Sequence, residues 1–112
     1  MIRYDGYYIL PAKPYEDGVA HNQVKGFAHL GYQFLGNGTY SSAFKRSKSV
    51  EFLFERQDFN PDFPNKYLVS GNSLTMYFHT NEEWEFTETL EILNAHEIKW
   101  GEKILQFKSW PD

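Results

Sequence analysis

Cysteine is absent from the 112 residues. That excludes a disulfide scaffold, a thiolate zinc site and a cysteine nucleophile. The opening M-I-R-Y-D-G-Y-Y lacks the apolar core of a secretory signal, and no stretch approaches the roughly 20 apolar residues of a spanning helix. No membrane span is expected, and a cytoplasmic protein is. Basic residues are in the minority: 11 Lys and Arg stand against 15 Asp and Glu, a formal net charge of −4. Phosphate backbones are gripped by basic faces, so nucleic acid is not an expected partner. Motifs for nucleophilic and phosphate chemistry are missing as well. There is no G-x-S-x-G, and Gly36-Asn37-Gly38 has no following helix and no lysine in Walker position. The histidines His21, His29, His79 and His96 show neither i, i+2 nor i, i+4 spacing, and H-E-x-x-H does not occur. No metal and no cofactor are expected.

What is present is aromatic. Phe, Trp and Tyr make up 19% of the chain, while the apolar share of 41% and the charged share of 23% are ordinary. Large rings suit pleated, half-buried surfaces, so the composition favours β structure, and the length suits one domain spanning 1–112.

Tyr4 to Leu10 reads as a first strand that stops at Pro11, and 11–22 reads as a loop. Val24 to Leu35 is the second strand, with Ala28, Leu30, Tyr32 and Phe34 on one face and His29, Gly31 and Gln33 on the other. A three-residue loop at Gly36-Asn37-Gly38 sets Phe34 opposite Tyr40 and Leu30 opposite Phe44. Asn37-Gly38-Thr39 also has the form of a glycosylation sequon, and here it reads as turn chemistry. Thr39 to Arg46 is the third strand, with Tyr40, Ser42, Phe44 and Arg46 inward. After a turn at Ser47-Lys48-Ser49, alternation of Val50, Phe52, Phe54 and Arg56 predicts a strand over Val50 to Gln57, pairing Phe44 with Phe52 and Tyr40 with Arg56. Pro61 and Pro64 make 58–66 a second loop.

The stretch from Tyr67 to Trp110 carries the most information. Gly71-Asn72 is a two-residue hairpin signal that pairs Val69 with Leu74 and Tyr67 with Met76. A loop at Asn81-Glu82-Glu83 pairs Phe78 with Phe86, Leu74 with Leu90, and His79 with Glu85 on the outer face. A loop at Asn94-Ala95-His96 pairs Ile92 with Ile98 and Leu90 with Trp100. Gly101-Glu102 pairs Ile98 with Leu105, and its even length switches the buried parity to Leu105 and Phe107. The expected fold is all-β: an antiparallel up-and-down barrel of about eight to ten short strands.

Tyr32-Gln33-Phe34-Leu35-Gly36-Asn37-Gly38-Thr39-Tyr40 resembles the F-x-x-[DN]-G-[TK]-[YF] hairpin of small bacterial lipocalin-like (calycin-type) domains. Tyr67-Leu68-Val69-Ser70-Gly71-Asn72-Ser73-Leu74 is similar to their Y-x-[IV]-x-[GD]-[ND]-x-[IL] hairpin, and Gly6-Tyr7-Tyr8 has a tyrosine where their G-x-W has tryptophan. The resemblance covers most of 26–110. It implies a barrel whose interior holds an apolar ligand.

Glu88 follows Trp84 and Phe86 and precedes Leu90 and Ile92 at strand period, so it falls on the apolar face opposite Met76. A charge inside costs roughly several kcal/mol unless it is paired. The inward counter-charges are Arg46 and Arg56. One reading is structural: an ion pair, or a carboxylate reaching water near the barrel mouth. The other is functional, because pockets combine apolar walls with a few convergent polar groups, and arginine binds carboxylates in bidentate fashion. In it, Tyr40, Arg46, Arg56, Met76, Glu88 and Trp100 line an interior site for a small apolar or amphipathic ligand. Trp84, Trp100 and Trp110 with Lys45, Arg46 and Lys48 could also be read as a base-stacking surface, but Trp84 and Trp100 share the buried parity and read as core. Three functions follow in order: a non-enzymatic binding module; a filled barrel that forms a homodimer through the Leu53 face, Trp110 or a strand edge; and an enzyme using Glu88 as acid or base.

Overall fold

Alternation at strand period, broken at turns, generates nine strands among the residues that the computed structural model describes, 2–15, 26–59, 65–79 and 85–110. They are β1 (Gly6–Ile9), β2 (Lys13–Tyr15), β3 (Gly26–Phe34), β4 (Thr39–Ser47), β5 (Asn65–Ser70), β6 (Ser73–His79), β7 (Glu85–Asn94), β8 (Glu97–Trp100) and β9 (Lys103–Ser109). The turn expected at 81–83, Trp84, and parts of the expected loops lie outside the described residues.

β1 and β3 to β9 form a closed, antiparallel, up-and-down barrel of eight strands. Closure is made by β1, which pairs with β9 on one side (Tyr8 opposite Phe107) and with β3 on the other (Tyr8 opposite Tyr32). The ninth strand, β2, continues along the same edge of β3, with Lys13 opposite Ala28 and Pro14 opposite Phe27. The sequence reads these residues as loop because of their prolines. An edge strand tolerates proline, which lacks only the donor that an interior ladder would need.

The hairpin registers follow turn length. Phe34 faces Tyr40 and Leu30 faces Phe44, as a three-residue loop requires. In that loop Gly38 takes φ +88° and the Asn37 carboxamide oxygen accepts hydrogen bonds from the Thr39 N–H (3.1 Å) and hydroxyl (2.7 Å), which is turn chemistry. Val69 faces Leu74, Met76 faces Glu88, Phe78 faces Phe86, Ile92 faces Ile98 and Ile98 faces Leu105, each as expected. A register shift between Ile92 and Asn94 marks the β7–β8 turn. Inside, Tyr8, Phe34, Tyr40, Leu74, Met76, Leu90, Ile98 and Leu105 pack into one core.

The strand expected over Val50 to Gln57 does not form. Residues 50–55 have no ladder, and Arg56–Asp58 is a 3₁₀ turn. Tyr40 therefore faces Asn65 of β5 rather than Arg56. The cause is a second apolar cluster on the outer face of the wall. Phe54 and Phe59 sink there against Tyr7, Ile9, Ala43 and Trp110. Gly31 gives Phe54 its seat, since a Cβ at that position would lie 3.0 Å from the Phe54 ring. Alternation states which side chains seek burial but not which surface buries them, and the outer wall of β1, β3 and β4 was the available partner.

Tyrosine hydroxyls tie connecting segments to the wall. Tyr8 donates to the Ala95 carbonyl (2.7 Å) and accepts from the Arg3 N–H (2.8 Å). Tyr67 donates to Leu35 (2.6 Å) and Tyr40 to Tyr77 (2.9 Å). Tyr7 accepts from the Phe54 N–H at 2.8 Å in a fully buried contact. Replacing Tyr7 by phenylalanine keeps the ring but strands that N–H, so Tyr7→Phe is expected to lower stability by about 1–3 kcal/mol. Urea denaturation should show a lower midpoint with an unchanged slope. A midpoint equal to that of the parent would show that the hydroxyl does not anchor the crossing segment.

Candidate functional site

The inner parity of β3, β8 and β9 runs out toward one end of the barrel, and the packing thins there. Tyr32 and Ile98 are buried, whereas Leu30 and Trp100, one step further out on the same face, are only half-buried. Phe44, opposite Leu30, is 54% exposed. This end holds an open, mainly apolar cleft of about 410 Å³, walled by Leu10, Leu30, Tyr32 and Trp100, with Glu102 and Lys103 at its rim. The Tyr32 and Trp100 rings are held 5.6 Å apart at a 54° tilt, and Phe78 reaches Trp100 from β6 at 6.4 Å.

Tyr32 is the polar group of the cleft. Burial pushes its phenol up to about 12, so it remains a neutral donor through the ordinary pH range. The other buried phenols, those of Tyr7, Tyr8, Tyr40 and Tyr67, each hold a protein partner. The Tyr32 hydroxyl makes no hydrogen bond among the described residues. Burial raises Tyr40 as well, with a smaller contribution from neighbouring Tyr32.

The structure gathers Tyr40, Met76 and Trp100 in or against the inner cluster, with Glu88 opposite Met76, and takes the two arginines elsewhere. Tyr40 and Met76 are sealed in the packed core. Trp100 alone lines the cleft. Glu88 stands on the inner face opposite Met76, half-buried. Arg46 lies toward the open end of β4, exposed, with its guanidinium 5.8 Å from the Phe44 ring centroid. Arg56 is displaced to the outside of the barrel, over the Trp110 ring at 5.3 Å, because its segment crosses the outer wall. Trp110 packs in the outer cluster and Trp100 against the inner one.

Leu10, Leu30, Tyr32 and Lys103 are cleft residues outside the expected set. The parity of the second strand already placed Leu30 and Tyr32 inward, but nothing in it showed that packing stops at Tyr32. Among the described residues no group of three or more His, Asp or Glu side chains is arranged to hold a metal ion, and no helix is long and apolar enough to cross a membrane. No known protein family matches the chain, and neither curated proteins nor solved structures yield a match.

Proposed function

We propose that this chain is a lipocalin-like, non-enzymatic binding module that holds a small apolar or amphipathic molecule in the open end of its barrel. The observation that carries the reading is the cleft of about 410 Å³, in which a Tyr32 hydroxyl without a hydrogen-bond partner among the described residues sits among Leu10, Leu30 and Trp100. Small-molecule sites have this make-up: apolar walls and a few polar groups that fix orientation, in volumes of roughly 300–1,000 Å³. The Lys103 and Glu102 rim suits the polar end of an amphipathic ligand. The proposed site is thus shallower than the interior one expected from the sequence, because Met76 and Tyr40 fill the barrel beneath it.

Native mass spectrometry of gently purified protein, followed by titration with the amphipathic dye anilinonaphthalene sulfonate, tests this reading. A co-purifying small mass is expected, and Trp100→Ala should weaken dye binding about ten-fold through loss of one ring wall. Dye affinity unchanged in Trp100→Ala would overturn it. The same spectra report whether the chain dimerises.

A further inference from the structure

A second opening lies on the other side of the wall. The chain leaving β4 crosses the outer face, and between this crossing and β1 runs a groove of about 570 Å³. Val50, Phe52 and Leu53 of the crossing line it together with Ile9 of β1 and His29 of β3. Leu53 is 61% exposed, so the apolar rim faces solvent, whereas His29 is only 1% exposed.

The hydrogen bonds of His29 define which proton it carries. Its Nε2 lies 2.9 Å from the Ser47 hydroxyl oxygen and 3.1 Å from the Ser49 carbonyl. The Ser47 hydroxyl in turn donates to that same carbonyl at 2.8 Å. A carbonyl only accepts, so the ring nitrogen facing it must be the N–H. In the neutral ring Nδ1 is then a bare acceptor, and it has no partner among the described residues. No side-chain nitrogen or oxygen among them is both sealed from solvent and unpartnered. Nδ1 is therefore not fully sealed, and the groove is an opening that His29 lines. The Phe52 ring, edge-on at 4.7 Å and 78°, holds the imidazole in place.

We infer that this groove is a separate binding site for a small neutral aromatic molecule bearing one O–H or N–H donor, of the phenol or indole class, whose donor is accepted by His29 Nδ1. The apolar sides take the ring. Lys108 and Glu51 at the margins carry opposite charges, so neither sign of ligand is favoured over a neutral one. An acceptor that no described protein group meets selects for a donor on the ligand, because an unmatched polar group on either partner is costly to desolvate.

Phenol and anisole are the probes, since they differ in the donor and little else. Nitrogen-15 NMR of the histidine rings, at a pH well above the usual imidazole range, reads the tautomer directly. The expected result is an Nε2–H ring for His29, an Nδ1 resonance that shifts on adding phenol, and anisole binding about ten-fold more weakly. Shifts should cluster at His29, Val50 and Leu53. Leu53→Lys, a change at an exposed position that leaves both cores intact, should weaken phenol binding several-fold, while Leu93→Lys, exposed on β7 and not part of the groove, should leave it unchanged. An Nδ1–H tautomer, equal affinity for phenol and anisole, an insensitive Leu53→Lys, or shifts confined to Leu30 and Trp100 would each overturn the inference.

Discussion

Raising the pH past about 10 is expected to unfold the barrel in one cooperative step, with the buried tyrosines ionising as it opens. Tyr7, Tyr8, Tyr32, Tyr40 and Tyr67 all have phenols pushed above their usual value of 10, and burial is the leading cause for each. A raised folded-state value means that the native protein holds the proton more tightly than the unfolded chain does. The stabilisation is therefore complete below the unfolded value and falls as pH rises through 10 toward the folded values, which for Tyr32 is about 12. Each such tyrosine removes about 1.4 kcal/mol per pH unit in that window. Tyr32, Tyr40 and Tyr67 carry the large shifts, and three groups at that slope withdraw several kcal/mol, a large share of a typical domain's stability of ~5–15 kcal/mol. Tyrosinate absorbance and far-ultraviolet circular dichroism should change together. Full ionisation of the tyrosines while the β signal persists would show that these rings are not sealed in the native wall.

Gly6→Ala is expected to destabilise by roughly 3 kcal/mol or more, through the closing seam of the barrel. Gly6 pairs with Ser109, and a Cβ there would stand 2.0 Å from the Lys108 carbonyl oxygen and 2.8 Å from both the Phe107 ring and the Ser109 Cα. The first of these is backbone, which cannot rotate away, so β1 must draw off β9. Tyr7 and Tyr8 follow in the same strand and enter the outer and inner cores respectively, so displacement at Gly6 reaches both. Gly101→Ala is the control. Its position has a left-handed φ of +62° but nothing within 4 Å of a new Cβ, so the cost should be only about 1–2 kcal/mol. Urea denaturation of both variants separates close approach from backbone strain. Equal midpoints for the two would show that the β1–β9 seam relaxes freely.

The gap between what was expected for Arg56 and where it lies has a single origin. Phe52, Phe54 and Arg56 alternate as strand residues do, and the paired registers on either side made an interior position the economical reading. Yet Phe54 is fully buried outside the barrel wall, its N–H taken by Tyr7 instead of by a neighbouring strand. His29 shows the reverse of the same effect. Its outer parity was correct, but the crossing segment covers that face and turns an expected surface histidine into a buried one.

The amino-acid sequence by itself determined the hairpins from Tyr67 onward, because turn length and side-chain alternation together permit one register in which the apolar faces meet. It placed Tyr32, Phe34 and Tyr40 on the inner face for the same reason. Only the tertiary structure decided how the sheet closes, since β1 meets β3 and β9 across long stretches of chain that no local period links. It also decided that Met76 and Tyr40 fill the interior while Tyr32 and Trp100 border an opening. Inward parity is a property of each strand. Whether an inward side chain meets a neighbour or empty space depends on what the opposite wall sends to the same depth.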